Sequence, residues 1–236
     1  MGALARILIA CVVLGSAQFA VAAPAISAGP MSGRANHHDA LIWLRTRDAN
    51  AAVNIGYWPL GQTERISKTR TVRATRGDGH IAHIELSGLE AGTLYGYSVF
   101  VNGQKQAFDY PLRFQTQPRW NGRKGPPEFT VATGSCVYIN DADYEQPGKA
   151  YGGGYEIFET IRNQQPDLML WLGDNVYFRP VDWSSRTGIF RRYARDRALP
   201  ALQPLLANTQ NYAIWDDHDF GPNNSDRSYV HKGAAL

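Results

Sequence analysis

The sequence predicts a chain of two unlike parts, an N-terminal all-β sandwich followed by part of an α/β domain. Three observations carry that reading. Residues 41–116 break into short apolar runs of alternating character separated by turn residues, the period of half-exposed strands. A Pro/Gly/basic stretch at 117–127 then fits neither core, as expected of a linker. Beyond it, apolar runs alternate with segments of helical spacing, which is how a parallel sheet with crossover helices is written. The chain therefore divides into residues 1–22, 23–118, 119–127 and 128–236.

The first of these reads as an export signal. Arg6 supplies a lone positive charge, residues 7–14 an apolar stretch, and Ala20-Val21-Ala22 a small-residue cleavage site. Cleavage after Ala22 would deliver a periplasmic or secreted protein. The apolar run is short for a bilayer and nothing similar follows it, so no membrane span is expected after cleavage. Leu8-Ile9-Ala10-Cys11 looks like a lipoprotein box, but the run continues through Val12, Val13 and Leu14, where a lipoprotein would turn polar. Without Cys11 the mature chain keeps Cys136 alone, which excludes an internal disulfide. An unpaired thiol in an oxidising compartment has to be buried or held by a metal. The formal charge of +3 is small and dispersed, which argues against a nucleic-acid stripe or a polybasic membrane patch. The charge mildly favours anionic ligands, and a monomer is expected.

Within the first unit, strands are expected at 41–44, 54–58 and 81–86, and again after the glycine turn at Gly92. Tyr95, in Leu89-Glu-Ala-Gly-Thr-Leu-Tyr95-Gly-Tyr97, sits where sandwich domains place a corner tyrosine whose hydroxyl reaches upstream backbone. This segment resembles a fibronectin-III or immunoglobulin-like sandwich. His37-His38 is expected to be solvated linker ahead of the first strand.

The second unit opens with a β run at 129–134 ending at Ser135-Cys136, followed by a helix over 155–164. Residues 168–172, Leu-Met-Leu-Trp-Leu, form a near-continuous apolar run expected of a strand covered on both faces. Gly173-Asp174 follows it. Helical stretches near 190–194 and 203–207 lead to a short strand at 212–215, expected to be buried, which ends at Asp216-Asp217-His218. Three predicted strands thus each end in potential metal ligands, at the carboxyl edge where α/β sheets gather their sites. A thiolate prefers a transition metal and carboxylates suit harder ions, so a mixed-metal site is the simplest reading. If the loop turns after Asp174, Tyr177 points to the same ion, and a phenolate favours ferric iron.

Other features read blandly. Gly148-Lys149 precedes Gly152-Gly153-Gly154, the reverse of a Walker phosphate loop. Arg191, Arg192 and Arg195 read as a solvated helix face, and Trp120, Trp183 and the tyrosines as packing or pocket walls.

Ser-Cys136 after one strand, Gly-Asp174-x-x-Tyr177 after the next, and Trp-Asp-Asp217-His218-Asp-Phe-Gly-Pro-Asn223-Asn after the third resemble three successive motifs of the PhoD-like alkaline phosphatase/phosphodiesterase family, within the metallophosphoesterases. The likeness runs over about residues 129–232, and the preceding sandwich is similar to that family's N-terminal domain. The resemblance implies a partial metallophosphoesterase domain that hydrolyses phosphate mono- or diesters with metal-activated water. It implies Fe3+ on Cys136 and Tyr177, Asp174 bridging the metals, Ca2+ on Asp217 and Asn223, and His218 beside the phosphate. The pattern leaves Asp216 open against Asp217, and Asn224 against Asn223. Family members continue well past the third motif, so a truncated chain with little or no activity is also implied. From another class, the rival reading is a secreted sandwich that binds a surface partner and carries a vestigial second unit.

Overall fold

The structure is a computed structural model and describes residues 25–123, 125–145, 151 and 153–234. The expected signal with Cys11 and its cleavage site, the lipoprotein box, Gly148-Lys149 and Gly152 lie outside the described residues.

The first unit is an antiparallel β-sandwich. One sheet is ordered β1 (Ile26–Ala35), β2 (Ala40–Thr46) and β6 (Ile81–Leu86). The other is built on β3 (Ala51–Pro59) and β7 (Leu94–Val101), with the short strands β4 (Ser67–Lys68), β5 (Val72–Ala74), β8 (Gln104–Lys105) and β9 (Arg113–Gln115). Alternation explains why these segments form strands. In β6, Ala82, Ile84 and Leu86 point inward while His83 and Glu85 stay exposed, and β2 buries Ala40, Ile42 and Leu44 in the same rhythm. The inner faces meet in one core that includes Ile42, Leu44, Val53, Ile55, Ile84 and Val99. Tyr95 is a corner tyrosine in fact: its hydroxyl accepts the Glu90 N–H at 2.8 Å, and its ring stacks on Phe114.

One strand was not expected. β1 precedes His37-His38, so that pair follows a strand instead of preceding the first one. Its sequence, ISAGPMSGRA, hides the period behind Gly29-Pro30 and small residues, and its pairing with β2 is interrupted by register shifts. Both histidines donate a ring N–H to a backbone carbonyl, His37 Nδ1 to Gln117 O at 3.0 Å and His38 Nδ1 to Leu89 O at 2.8 Å.

The second unit is a parallel sheet in chain order, β10 (Val131–Gly134), β11 (Leu168–Leu172) and β12 (Gln210–Ile214). Its crossovers carry α1 (Glu156–Asn163), α2 (Arg186–Arg197) and α3 (Gln203–Asn208). Phe158 of α1 and Leu205 and Leu206 of α3 pack on Met169 and Trp171, so both helices cover the same face. Two expectations fail here. β11 is not covered on both faces, since Leu172 is 48% exposed, and β12 is not buried, with Ile214 58% exposed. Hydrophobicity along a strand reports what the strand can bury, not what is packed on it. The two units share a seam. Asn211 Nδ2 donates to Ser32 O of β1 at 2.9 Å, and Tyr97 OH donates to Ala207 O at 3.0 Å in the interior.

The arginines of α2 are a third correction. Arg192 is fully buried and pairs with Asp182 at 2.8 Å and Asp141 at 2.9 Å, while Arg195 pairs with Asp196 at 2.8 Å. A buried guanidinium needs such partners to offset its lost hydration. Burial first, and despite the neighbouring arginines, pushes Asp196 up to about 6. No helix among the described residues is long and apolar enough to cross a membrane.

Candidate metal centre

The loops leaving β10, β11 and β12 converge at the carboxyl edge of the sheet. Backbone bonds register the first two: Cys136 N donates to Gly173 O at 3.3 Å and Val137 N to Asp174 O at 2.8 Å. The first ligand candidate on each of these loops has left-handed backbone, with φ of 59° at Cys136 and 52° at Asp174. Non-glycine residues in that region cost energy and persist where the surroundings impose them, often at functional sites. Gly173 has φ of 90°, and a Cβ there would stand 2.7 Å from Asp216 Cβ. The glycine is what lets the second and third loops touch.

After β12 the chain makes a 3-10 turn over Asp217–Asp219, capped reciprocally by Asp216 and Asp219. Asp219 is almost wholly buried. Its Oδ2 accepts Asp216 N at 2.9 Å, and its Oδ1 accepts both Asn175 N at 2.8 Å and Asn175 Nδ2 at 3.0 Å. One carboxylate thereby ties the third loop to the second.

Hydrogen bonds, a ring contact and ligand-atom distances join Cys136, Asp174, Tyr177, Asp217 and His218. Asp174, only 8% exposed, stands at the centre. Its Oδ2 accepts the Tyr177 hydroxyl at 2.9 Å and the Cys136 thiol at 3.6 Å. Ligand atoms of Asp174, Asp217 and His218 all lie within 4.8 Å of one another. The His218 ring packs on the Tyr177 ring with centroids 4.3 Å apart. Asp174 belongs to both groups, one containing the thiol and phenol, the other the second carboxylate and the imidazole. Asn223 is exposed and no hydrogen bond joins it to these groups, while its neighbour Asn224 donates its N–H to Asp217 Oδ2, which holds this segment beside Asp217. Asp216 caps the turn through Asp217 N at 2.9 Å, leaving Asp217 to face the cluster.

The donor set fits metal ions. Asp174 Oδ1 is buried without a hydrogen-bond partner, and a carboxylate oxygen left unpaired in low dielectric is costly unless a cation meets it. Burial, and then bonds to Cys136 and Asp174, hold the Tyr177 phenol far above its ordinary value. A cation among these donors would reverse that preference, because its charge favours the deprotonated ligand.

No curated protein sequence matches the chain. Residues 23–118 match the family model of a domain of unknown function, DUF7800. A solved structure of PhoD superposes with a TM-score of 0.70 at 20% identity, covering 90% of this chain. The chain spans 43% of the length of that PhoD chain. Fibronectin-III domains of human collagen alpha-1(XX) and human contactin 1 give TM-scores of 0.31 and 0.30, at 19% and 16% identity, covering 48% and 47% of this chain and 99% and 98% of their own. The PhoD likeness shows a shared fold that takes in both the sandwich and the parallel sheet.

Two supporting groups escaped the sequence reading. Asp219 had a local signal, since an acidic pair at cap and third position, Asp216 and Asp219, marks a capped turn. Arg179 had none. Its guanidinium is paired with Glu145, 34 residues away.

Proposed function

We propose that this chain is an exported phosphoester hydrolase of the PhoD type, or the metal-binding front of one, acting on phosphate mono- or diesters. The observation that carries the reading is the meeting of Cys136, Asp174, Tyr177, Asp217 and His218 at the ends of three adjacent parallel strands. The shared PhoD fold supports it.

In this reading Cys136, Tyr177 and Asp174 would hold an iron, and Asp217 with Asp174 and Asn223 a harder ion such as calcium. The chemistry these ions supply is Lewis acidity toward the phosphoryl oxygens and a water acidified enough to attack at neutral pH. The chain's own side chains do the rest. Before any ion binds, the Tyr177 hydroxyl donates to Asp174 Oδ2 and holds these two donors side by side; that proton would leave when Tyr177 binds as phenolate. His218 holds a proton beside the cluster and passes it to the leaving oxygen as the ester P–O bond breaks. Displacement occurs once, in line, without a phosphorylated side chain, so configuration at phosphorus inverts.

The test is metal loading of the purified chain. Iron should bind with a visible tyrosinate absorption that Tyr177→Phe removes. Any hydrolysis of an aryl phosphate should vanish with EDTA and in Asp174→Asn. A chain with an intact sandwich that takes up no metal ends this proposal and leaves the sandwich as a binding module. Export is tested separately by N-terminal sequencing of the extracytoplasmic protein, which should begin at Ala23.

A further inference from the structure

We propose that Arg179 is a positioning residue of this centre, setting the spacing between the loop that carries Cys136 and the loop that carries Asp174 and Tyr177. The proposal rests on the metal-site reading above.

Between Cys136 and Glu145 the chain forms no helix or strand. Close to the sheet, the backbone bonds at Cys136 and Val137 hold it in register. Farther out, among the described residues, the direct polar tie to the Tyr177 loop is Arg179. This side chain is buried, and its donors reach both sides. On the thiol loop, Nη2 donates to Ile139 O at 3.1 Å and to Glu145, while Nε donates to Glu145 Oε1 at 3.2 Å. On the other loop, Nη1 donates to Tyr177 O. The guanidinium also lies 4.4 Å over the Tyr138 ring, and that ring packs on Tyr177 with centroids 5.0 Å apart. Glu145 is in turn bonded by the Tyr138 hydroxyl at 2.7 Å.

The clamp does not float. Arg179 N donates to Asp182 Oδ2 at 3.0 Å, and the same carboxylate pairs with the buried Arg192 of α2. Only a planar, five-donor fork can serve Ile139, Glu145 and Tyr177 at once; a lysine ammonium keeps the charge but not the geometry. Arg195 makes a useful contrast. It bonds Asn140 O and pairs with Asp141 on the thiol loop, yet ties that loop to α2.

A purely structural arginine would stabilise the fold without tuning the site, so the test separates stability from metal affinity. Cobalt(II) alone is titrated against the full chain, and its protection of Cys136 from a thiol reagent is read by peptide mass mapping, which distinguishes Cys136 from Cys11. Thiolate-to-cobalt absorption is the second readout. R179K is expected to raise the protecting cobalt concentration by about tenfold or more, the usual effect of removing an outer partner of a ligand, and to weaken the thiolate band. E145Q should shift it in the same direction, by less. L44A, a truncation in the sandwich core, which holds no residue of either loop, should lower Tm at least as much as R179K yet leave the cobalt midpoint where wild type has it.

The role is overturned if R179K protects at the wild-type midpoint, or if L44A moves the midpoint as far as R179K does. Should R179K fail to fold, E145Q decides, and an unshifted midpoint there overturns it. Absence of cobalt protection in the wild-type chain removes the metal-site reading itself, and this role with it.

Discussion

The sandwich and the parallel unit are built on opposite economies of packing. In the sandwich, β2, β3, β6 and β7 each turn one face into a shared interior where Ile42, Leu44, Ile55 and Val99 are inaccessible. In the parallel unit, α1 and α3 cover one face of β10, β11 and β12, while Leu172, Tyr212 and Ile214 remain exposed on the other. Shape in the first unit comes from apolar burial. At the candidate centre it comes from a few buried polar groups, Asp219 and Arg179 among them, that bond loops to one another. Such groups specify geometry sharply and tolerate little change, because an orphaned buried partner costs more than the bond contributes.

Substitutions on either side should expose this difference, beginning with the largest effect. Leu44→Ala removes a fully buried side chain from the sandwich, and chemical denaturation should show a loss of about 2–5 kcal/mol. Gly173→Ala should cost about 1–3 kcal/mol from the left-handed backbone alone, and the approach of Asp216 means the loops must also separate. Its signature should be local, with metal affinity lost while the aromatic circular dichroism of the sandwich persists. Tyr95→Phe should cost about 1 kcal/mol by leaving the Glu90 N–H without its acceptor.

Acidification gives a fourth test. Although burial pushes the Glu145 carboxyl up, its bonds to Arg179, Tyr138 and Asp141 N outweigh that and hold it below the ordinary 4.5. The folded chain therefore gives up this proton more readily than the unfolded one. The resulting stabilisation is complete above the ordinary carboxyl value and fades as pH falls through the folded value. Glu145→Gln should be less stable than wild type at neutral pH, and the gap should close in acid. The smallest effect is expected on the bare face. Leu172→Ser with Ile214→Thr should change stability by no more than about 0.5 kcal/mol while reducing self-association, since exposed apolar sheet promotes it. A loss as large as that of Leu44→Ala would mean the face is covered in solution.

Much of this was readable along the chain. The β6 and β11 strands have the bounds their hydrophobic patterns predict, and Tyr95 makes the corner bond its position predicts. The carboxyl-edge placement of Cys136, Asp174, Asp217 and His218 followed from strand order and the polar residues ending each run. What could not be read was any feature set by a distant neighbour. β1 is a strand because β2 and β12 flank it, despite a glycine-proline step in its sequence. Arg192 looks like any surface arginine in a helix until Asp141 and Asp182 arrive from other segments.

The sequence by itself determined local things: period, turn chemistry, capping, and which side chains leave a strand at its carboxyl end. These depend on sterics and hydrogen bonding within a few residues. Only the tertiary structure decided which faces were covered, which charges were paired, and that Asp174 would stand between a thiol, a phenol, a second carboxylate and an imidazole. Burial and ion pairing are properties of segments far apart in the chain, and their energies exist only once folding has brought those segments together.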